Sequence, residues 1–414
     1  MKRILTLLIL TLSFNSFSQK ITDTLVSQKL RENREITISL PESYEKNKTK
    51  KYPLLVVLDG EYLVEPFQAA LKYGTYWDDL PEVIIVGINQ NKNDERTLDC
   101  AWDEETGLPE EKGERFFEFI GAEILPYIEK NYRVAPFKII AGHDVTAGFL
   151  NFFLYKDQPI FNGYISLSPE LPTGMEEQIP ERLSKIEKPI FYYHASADGD
   201  LKKMQERIKK MDDEIALLKK PSLNYQFDHF KGTSHYSLVL HAIPNALYQF
   251  FAIYQPISMN EFNEKIAILP SGYSEYLEKK YQEIERNYNI KMPIRINDFK
   301  AIEAAILKNK DYNDFDALSI LADKSYPKSM LADYQLAMMF EKKGDNKNAA
   351  KYYLSAFQKE AIGDLTKPMM YDRGSALKKT FAKKAKGAPV EEIPAETPTE
   401  QTPTEQTPEE KKTE

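Results

Sequence analysis

The stretch Ile139–Leu150, IIAGHDVTAGFL, decides how the rest of the chain is read. Ile139 and Ile140 lead into Ala141 and Gly142 as at the end of a buried strand, and Thr146-Ala147-Gly148 opens a helical run through Phe149 to Tyr155. A strand that turns at once into a helix holds its tip residue on a strained backbone above the sheet edge, so the flanking residues must be small. Gly142 meets that demand two residues before the tip. Thr146 is larger than the glycine of the G-x-S-x-G pattern. The tip is Asp144, where that pattern carries serine.

Outward from the turn, apolar runs alternate with helical ones. REITISLP (Arg34–Pro41) alternates with period two and predicts a half-exposed strand. YPLLVVLDG (Tyr52–Gly60) and EVIIVGIN (Glu82–Asn89) are continuously apolar, as strands covered on both faces are. FKIIAGHD (Phe137–Asp144), FNGYISLSP (Phe161–Pro169), KPIFYYHAS (Lys188–Ser196) and LNYQFDHF (Leu223–Phe230) continue the series. Glu114–Tyr132 has helical periodicity and suits a crossover. Residues 21–254 are therefore expected to form an α/β domain with a mainly parallel sheet and helices on both faces. From 258 to 385 the β-branched runs disappear and an all-α domain is expected.

The ends read differently. Lys2 and Arg3 precede the apolar run Ile4–Leu12, and Ser16-Phe17-Ser18 offers small residues for cleavage. Residues 1–18 thus read as a signal peptide, which implies export to the periplasm or beyond the cell. No later apolar run is long enough to span a bilayer. Residues 386–414 carry a Pro/Thr/Glu repeat without a core-forming pattern and read as a disordered acidic tail.

Composition excludes several functions. The formal net charge is −8, and from Ala388 onward eight Glu stand against two Lys. Most of the excess charge thus lies in the tail, and no basic patch points to nucleic acid. Cys100 is the sole cysteine, so no internal disulfide forms; it reads as a small buried residue. His143, His194, His229, His235 and His241 have no ligand spacing with acidic or cysteine partners, and neither a metal nor a cofactor is expected.

Taken in order, these blocks resemble the esterase family of α/β-hydrolases, which includes enterochelin esterases, feruloyl esterases and S-formylglutathione hydrolases. The resemblance runs from about Thr37 to Phe251. YPLLVVLDGE looks like the strand ending in the oxyanion loop, and PEVIIVGIN with Arg96 and Asp99 like the next strand and loop. FFEFIGAEILPYIEKNYRV looks like the helix before the turn, GYISLSPEL like the strand with a Ser-Pro after it, and GTSHYSLVLHAIPNAL like the histidine block. By this resemblance His235 is the catalytic histidine. Asp200 matches the acid best, with Asp198 its rival in Ala-Asp-Gly-Asp. The oxyanion hole would use the Val145 N–H and one from the Asp59-Gly60-Glu61 turn. The order Asp144, Asp200, His235 is that of the fold.

Asp144 departs from the family. A serine becomes nucleophilic when histidine takes its proton, whereas a carboxylate attacking an ester gives an anhydride that reverts. Its negative charge also stands beside a hole meant for a developing oxyanion. Two readings remain. In one, Asp144 displaces at an sp³ carbon, as in the haloalkane dehalogenases and epoxide hydrolases of the same fold, although no cap insertion is visible to supply leaving-group donors. In the other, Asp144 pairs with protonated His235, and the protein binds a small ester-like ligand, or a protein partner through its helical domain. The latter is the preferred reading, and relaxed constraints at Thr146 and Ala147 fit it. A serine esterase using another serine is the least favoured.

The remaining residues read as structural. Ser166 and Ser168 lie at a strand end, and His143 reads as packing. Tyr73, Tyr76 and Trp77 suit the core better than a pocket mouth, and Trp102 suits either. In the C-terminal domain, Asp333–Phe357 resembles one tetratricopeptide repeat. Leu336, Ala337 and Phe340 fall on its first helix, Gly344-Asp345 on its turn, and Ala349, Tyr353 and Ala356 on its second. FKAIEAAILKN and FDALSILADKSY read as a degenerate partner repeat, with a plain helical bundle as the alternative.

Overall fold

The structure, a computed structural model, describes residues 20–385. The expected signal peptide (1–18) and acidic tail (386–414) lie outside the described residues. The chain divides into two compact units, one running to Tyr254 and taking in Asn287–Ile290, the other comprising Gln255–Arg286 and the chain from Lys291 onward.

The first unit is built on eight strands: β1 (Lys20–Ser27), β2 (Glu32–Ser39), β3 (Tyr52–Val57), β4 (Ile84–Ile88), β5 (Val134–His143), β6 (Gly163–Leu167), β7 (Ile190–Ala197) and β8 (Leu223–Phe230). They lie in the order β1-β2-β4-β3-β5-β6-β7-β8. The β1–β2 and β2–β4 pairs are antiparallel, and every pair from β4 to β8 is parallel. The expected α/β architecture is present. Every residue of β3, β4, β6 and β7 is buried, which is why these runs are continuously apolar. β1 has no counterpart among the strands expected from sequence. KITDTLVS buries only its last residue, and its pairing with β2 defines it.

The helix Glu111–Phe119 continues through a wide turn, Ile120–Ile124, into Leu125–Asn131. Pro126, which has no N–H to donate, is the second residue after that turn. Tyr288 belongs to this unit although it lies far along the chain. It is buried, its ring packs on Phe137, Phe191 and Phe251 at 5.2–5.9 Å, and its hydroxyl donates to the Phe250 carbonyl at 2.7 Å.

The second unit is helical, with Ile296–Asn309, Asp314–Ser325, Leu331–Lys342, Asn346–Ala356 and Lys367–Ala385 as its longer C-terminal elements. Gly344, at φ 80°, turns the chain between the third and fourth of these. Asp345 then caps the fourth, accepting from the Asn348 N–H at 3.1 Å. Ala337 and Ala349 are fully buried and Tyr353 nearly so. Small residues at these positions let the two helices approach closely while one large ring fills the seam. Among the described residues no helix is long and apolar enough to cross a membrane.

Candidate active site

β5 ends at His143, and a helix begins at Val145. Asp144 joins them at φ 62°, ψ −122°, a strained conformation for a residue with a Cβ. Gly142 makes this turn feasible, because a Cβ there would lie 2.8 Å from the Thr146 backbone and hydroxyl. The Asp144 N–H donates to the Leu167 carbonyl at 3.0 Å, and its carbonyl accepts from the Gly148 and Glu170 N–H groups. With its backbone tied to β6 and the helix, the side chain projects over the carboxyl edge of the sheet, where ligands of such folds bind.

His235 lies in the loop after β8, and Asp200 in the turn after β7. His235 Nδ1 and Asp200 Oδ1 are 2.7 Å apart. The other Asp200 oxygen accepts from the Ser168 hydroxyl at 2.5 Å and the Ala197 N–H at 2.8 Å. Burial alone would raise the Asp200 carboxyl, but these three hydrogen bonds outweigh it and hold the group below its ordinary value. His235 is held above the ordinary imidazole value, first by its hydrogen bond to Asp200, against burial, and then by the charge of Asp144. The two loops meet because position 199 is glycine: a Cβ there would stand 2.6 Å from Ser234 Cα and 2.9 Å from His235 N.

Asp198 is turned elsewhere. It pairs with His229 Nε2 at 2.9 Å and accepts from the Gly232 N–H at 2.7 Å. Of the two acids the sequence left open, only Asp200 meets His235.

Asp144 stands between two basic side chains, a guanidinium and an imidazole. One oxygen lies 3.7 Å from His235 Nε2, and the other 3.3 Å from Arg96 Nη1. Arg96 is itself clamped, by Asp59 through Nε at 2.6 Å and Nη2 at 3.3 Å, and by the His143 carbonyl at 2.9 Å. Asp59 is buried at φ 53° before the helix Gly60–Tyr76, and also accepts from Thr146 at 2.7 Å and Tyr62 at 2.9 Å. Acidic and basic side chains thus alternate along Asp59–Arg96–Asp144–His235–Asp200.

Several readings from sequence need correction here. Thr146 is no sign of relaxation at the turn, since its hydroxyl ties Asp59 to the His143 backbone. Ser168 does more than end a strand, because it holds Asp200. His143 does pack, with ring centroids 4.5 Å from His235, but its Nε2 also lies 3.0 Å from the His235 carbonyl and its Nδ1 3.1 Å from Tyr62 Oη. Burial, then the His235 charge, lowers its titration. Tyr73 and Tyr76 are 65% and 66% exposed and leave the core, while Trp77 is half-buried. Trp102 bridges to Pro109, and Ser166 donates to the Ala147 carbonyl. Cys100 is buried, and burial raises its thiol.

Val145, Gly60 and Glu61, the expected oxyanion-hole positions, all open helices at this edge. The Glu61 carboxylate accepts from the Gln90 and Asn91 N–H groups, fixing the neighbouring loop. No signal in spacing alone marked Arg96 as a partner of Asp144. Its place after the strand at Glu82–Asn89, on the edge that carries Asp144, was the available clue.

A mainly parallel sheet with a strained strand-to-helix turn, and an acid and histidine delivered by later loops, defines an α/β-hydrolase. The chain belongs to the esterase family of these proteins. Residues 27–170 match the family model described as "Putative esterase". An uncharacterised protein from Capnocytophaga ochracea DSM 7271 is 31% identical, with TM-score 0.80, over 87% of this chain and 100% of that one. An IroE-like serine hydrolase from Shewanella oneidensis shares the fold at 20% identity and TM-score 0.56, over 74% of this chain and 99% of that one. The comparison with curated proteins returned no match.

Proposed function

We propose that this chain is an exported esterase-family protein without serine-esterase activity, and that it works as a binding component. The observation that carries the reading is the placement of the Asp144 carboxylate between Arg96 at 3.3 Å and His235 at 3.7 Å. A carboxylate shared by two cations has little charge left with which to attack. A histidine flanked by two carboxylates holds its proton and makes a poor base. The tip residue and the histidine are thereby occupied with each other. The site then holds a small ester-like ligand without cleaving it, and the helical unit offers a surface for a protein partner.

A second reading rests on the His235–Asp200 contact at 2.7 Å, which has the geometry needed to activate a water. In it, Asp144 Oδ displaces a leaving group at an sp³ carbon. The resulting alkyl ester is hydrolysed by a water that gives its proton to His235.

The test is turnover of aryl esters, epoxides and haloalkanes by the wild type, Asp144→Ser and Asp144→Ala. The binding reading expects a silent wild type and gained esterase activity in Asp144→Ser, where histidine regains a proton to remove. Wild-type turnover that disappears in Asp144→Ala would overturn it in favour of the Asp nucleophile.

A further inference from the structure

The helical unit contains a cavity of about 610 Å³, built by Ile296–Asn309, Leu331–Lys342 and Lys367–Ala385 together with Tyr353. Residues three and four apart share a helix face, so Tyr334, Met338 and Glu341 all reach it from Leu331–Lys342. Glu303 reaches it from Ile296–Asn309 and accepts a hydrogen bond from the Tyr334 hydroxyl at 2.9 Å.

The charges in the lining are unevenly satisfied. Glu341 is matched by Arg373, whose Nε lies 3.2 Å away, and by the Tyr353 hydroxyl at 2.7 Å. Asp364 pairs with Lys300 at 3.0 Å. Asp372 is exposed to solvent. Among the described residues Glu303 has only the neutral Tyr334 phenol as a hydrogen-bond partner. Burial pushes its carboxyl up to about 7, and Tyr334 with the charges of Lys300 and Lys342 offsets this only in part, while Asp364 adds to it. An ionised Glu303 therefore lacks one close positive charge. Around it the walls are apolar, with Phe299, Leu331 and Met338 among them, and the rings of Tyr334 and Tyr353 stand 6.4 Å apart.

We propose that this cavity binds an alkylammonium group carried on an apolar stem, with the ammonium seated on Glu303 beside Tyr334 and Tyr353. A carboxylate and aromatic rings together stabilise an organic cation by charge-assisted hydrogen bonding and by attraction to the ring faces. The apolar wall takes the stem, as it would the methylenes of a lysine. An anionic ligand is disfavoured, because four acidic side chains line the cavity against three basic ones and Arg373 and Lys300 are already matched. A neutral apolar ligand would cover the half-buried Glu303 without supplying a counter-charge. The same group occurs on a free amine and on a lysine of an extended peptide, and the test separates the two.

The full chain is titrated calorimetrically with hexylammonium chloride and with the blocked tripeptide Ac-Leu-Lys-Leu-NH2. Hexanol and the Nε-acetylated tripeptide serve as uncharged controls. The charged ligand should bind saturably and roughly tenfold or more tighter than its control, and Glu303→Gln should lose about the same factor. Tyr334→Phe should lose less. In the wild type, bound amine should lower the titration midpoint of the Glu303 carboxyl in a ¹³C spectrum, a readout that does not depend on how the variants fold. Tighter binding of hexylammonium identifies a free amine as the natural class, and tighter binding of the tripeptide identifies a peptide lysine. The proposal is overturned if neither amine saturates, if hexanol binds as tightly, or if the Glu303 midpoint does not move.

Discussion

At Asp144, backbone and side chain make opposite demands. The backbone is held at positive φ, as a reactive tip requires, while the carboxylate is bound by Arg96 and His235. Replacing it by asparagine removes the charge and keeps the shape. The His235 midpoint, followed by NMR, should then fall, because Asp144 is one of the charges that raise it. Asp200→Asn should lower it further, since the Asp200 hydrogen bond is the largest cause. The link to stability has a definite sign. A histidine raised in the folded state contributes stability that is complete below the ordinary imidazole value of about 6.5 and is lost as pH rises through the folded value. Wild type should therefore exceed Asp144→Asn in unfolding free energy by more at about pH 6 than at about pH 9. An equal difference at both would remove the ion pair from the account.

Among elements, the site depends on loops that close on one another. Ser168 after β6 holds Asp200 after β7, and Gly199 lets that turn approach the His235 loop after β8. Ser168→Ala leaves a buried carboxylate short of one donor and should cost about 1–3 kcal/mol in denaturant unfolding. Gly199→Ala forces Ser234 and His235 away and should cost a similar ~1–3 kcal/mol. It should also lengthen the His235–Asp200 contact, visible as a lower His235 midpoint. Further from the chemistry, Arg34 on β2 is 1% exposed and grips Asp99 through two nitrogens, at 2.5 and 3.0 Å. Gln90 donates to the same carboxylate at 3.1 Å, and thereby ties the loop that carries Arg96 to the sheet. Asp99→Ala leaves the buried Arg34 guanidinium with Glu32 alone, at 2.5 Å, and should cost about 3 kcal/mol in the same measurement.

For the whole molecule, the chain leaves the first unit after Tyr254 and returns to it at Asn287–Ile290. A protein ended at Tyr254 lacks Tyr288, which fills the aromatic cluster of Phe137, Phe191 and Phe251. Within the full chain, Tyr288→Ala should cost ~3–5 kcal/mol, as removal of a buried ring does. Its effect should appear in the unfolding of the sheet-containing unit, followed by near-ultraviolet circular dichroism. This return was not legible in the sequence, because 258–385 reads as continuously helical and nothing local in NYNI (287–290) says which core it joins. The parallel sheet and the turn at Gly142–Thr146 were legible, since apolar runs and small residues at a tight turn are local properties, whereas His235 and an acid at Asp198 or Asp200 followed only from the resemblance to the esterase family. The sequence by itself determined that a buried strand turns into a helix just after Gly142 and that an aspartate stands at the tip. The tertiary structure alone decided that Asp200 and not Asp198 faces His235, that Arg96 reaches Asp144, and that Glu303 is left in a cavity with only a phenol. Each of these is a distance between side chains brought together from separate elements, and residue spacing along a chain does not encode such distances.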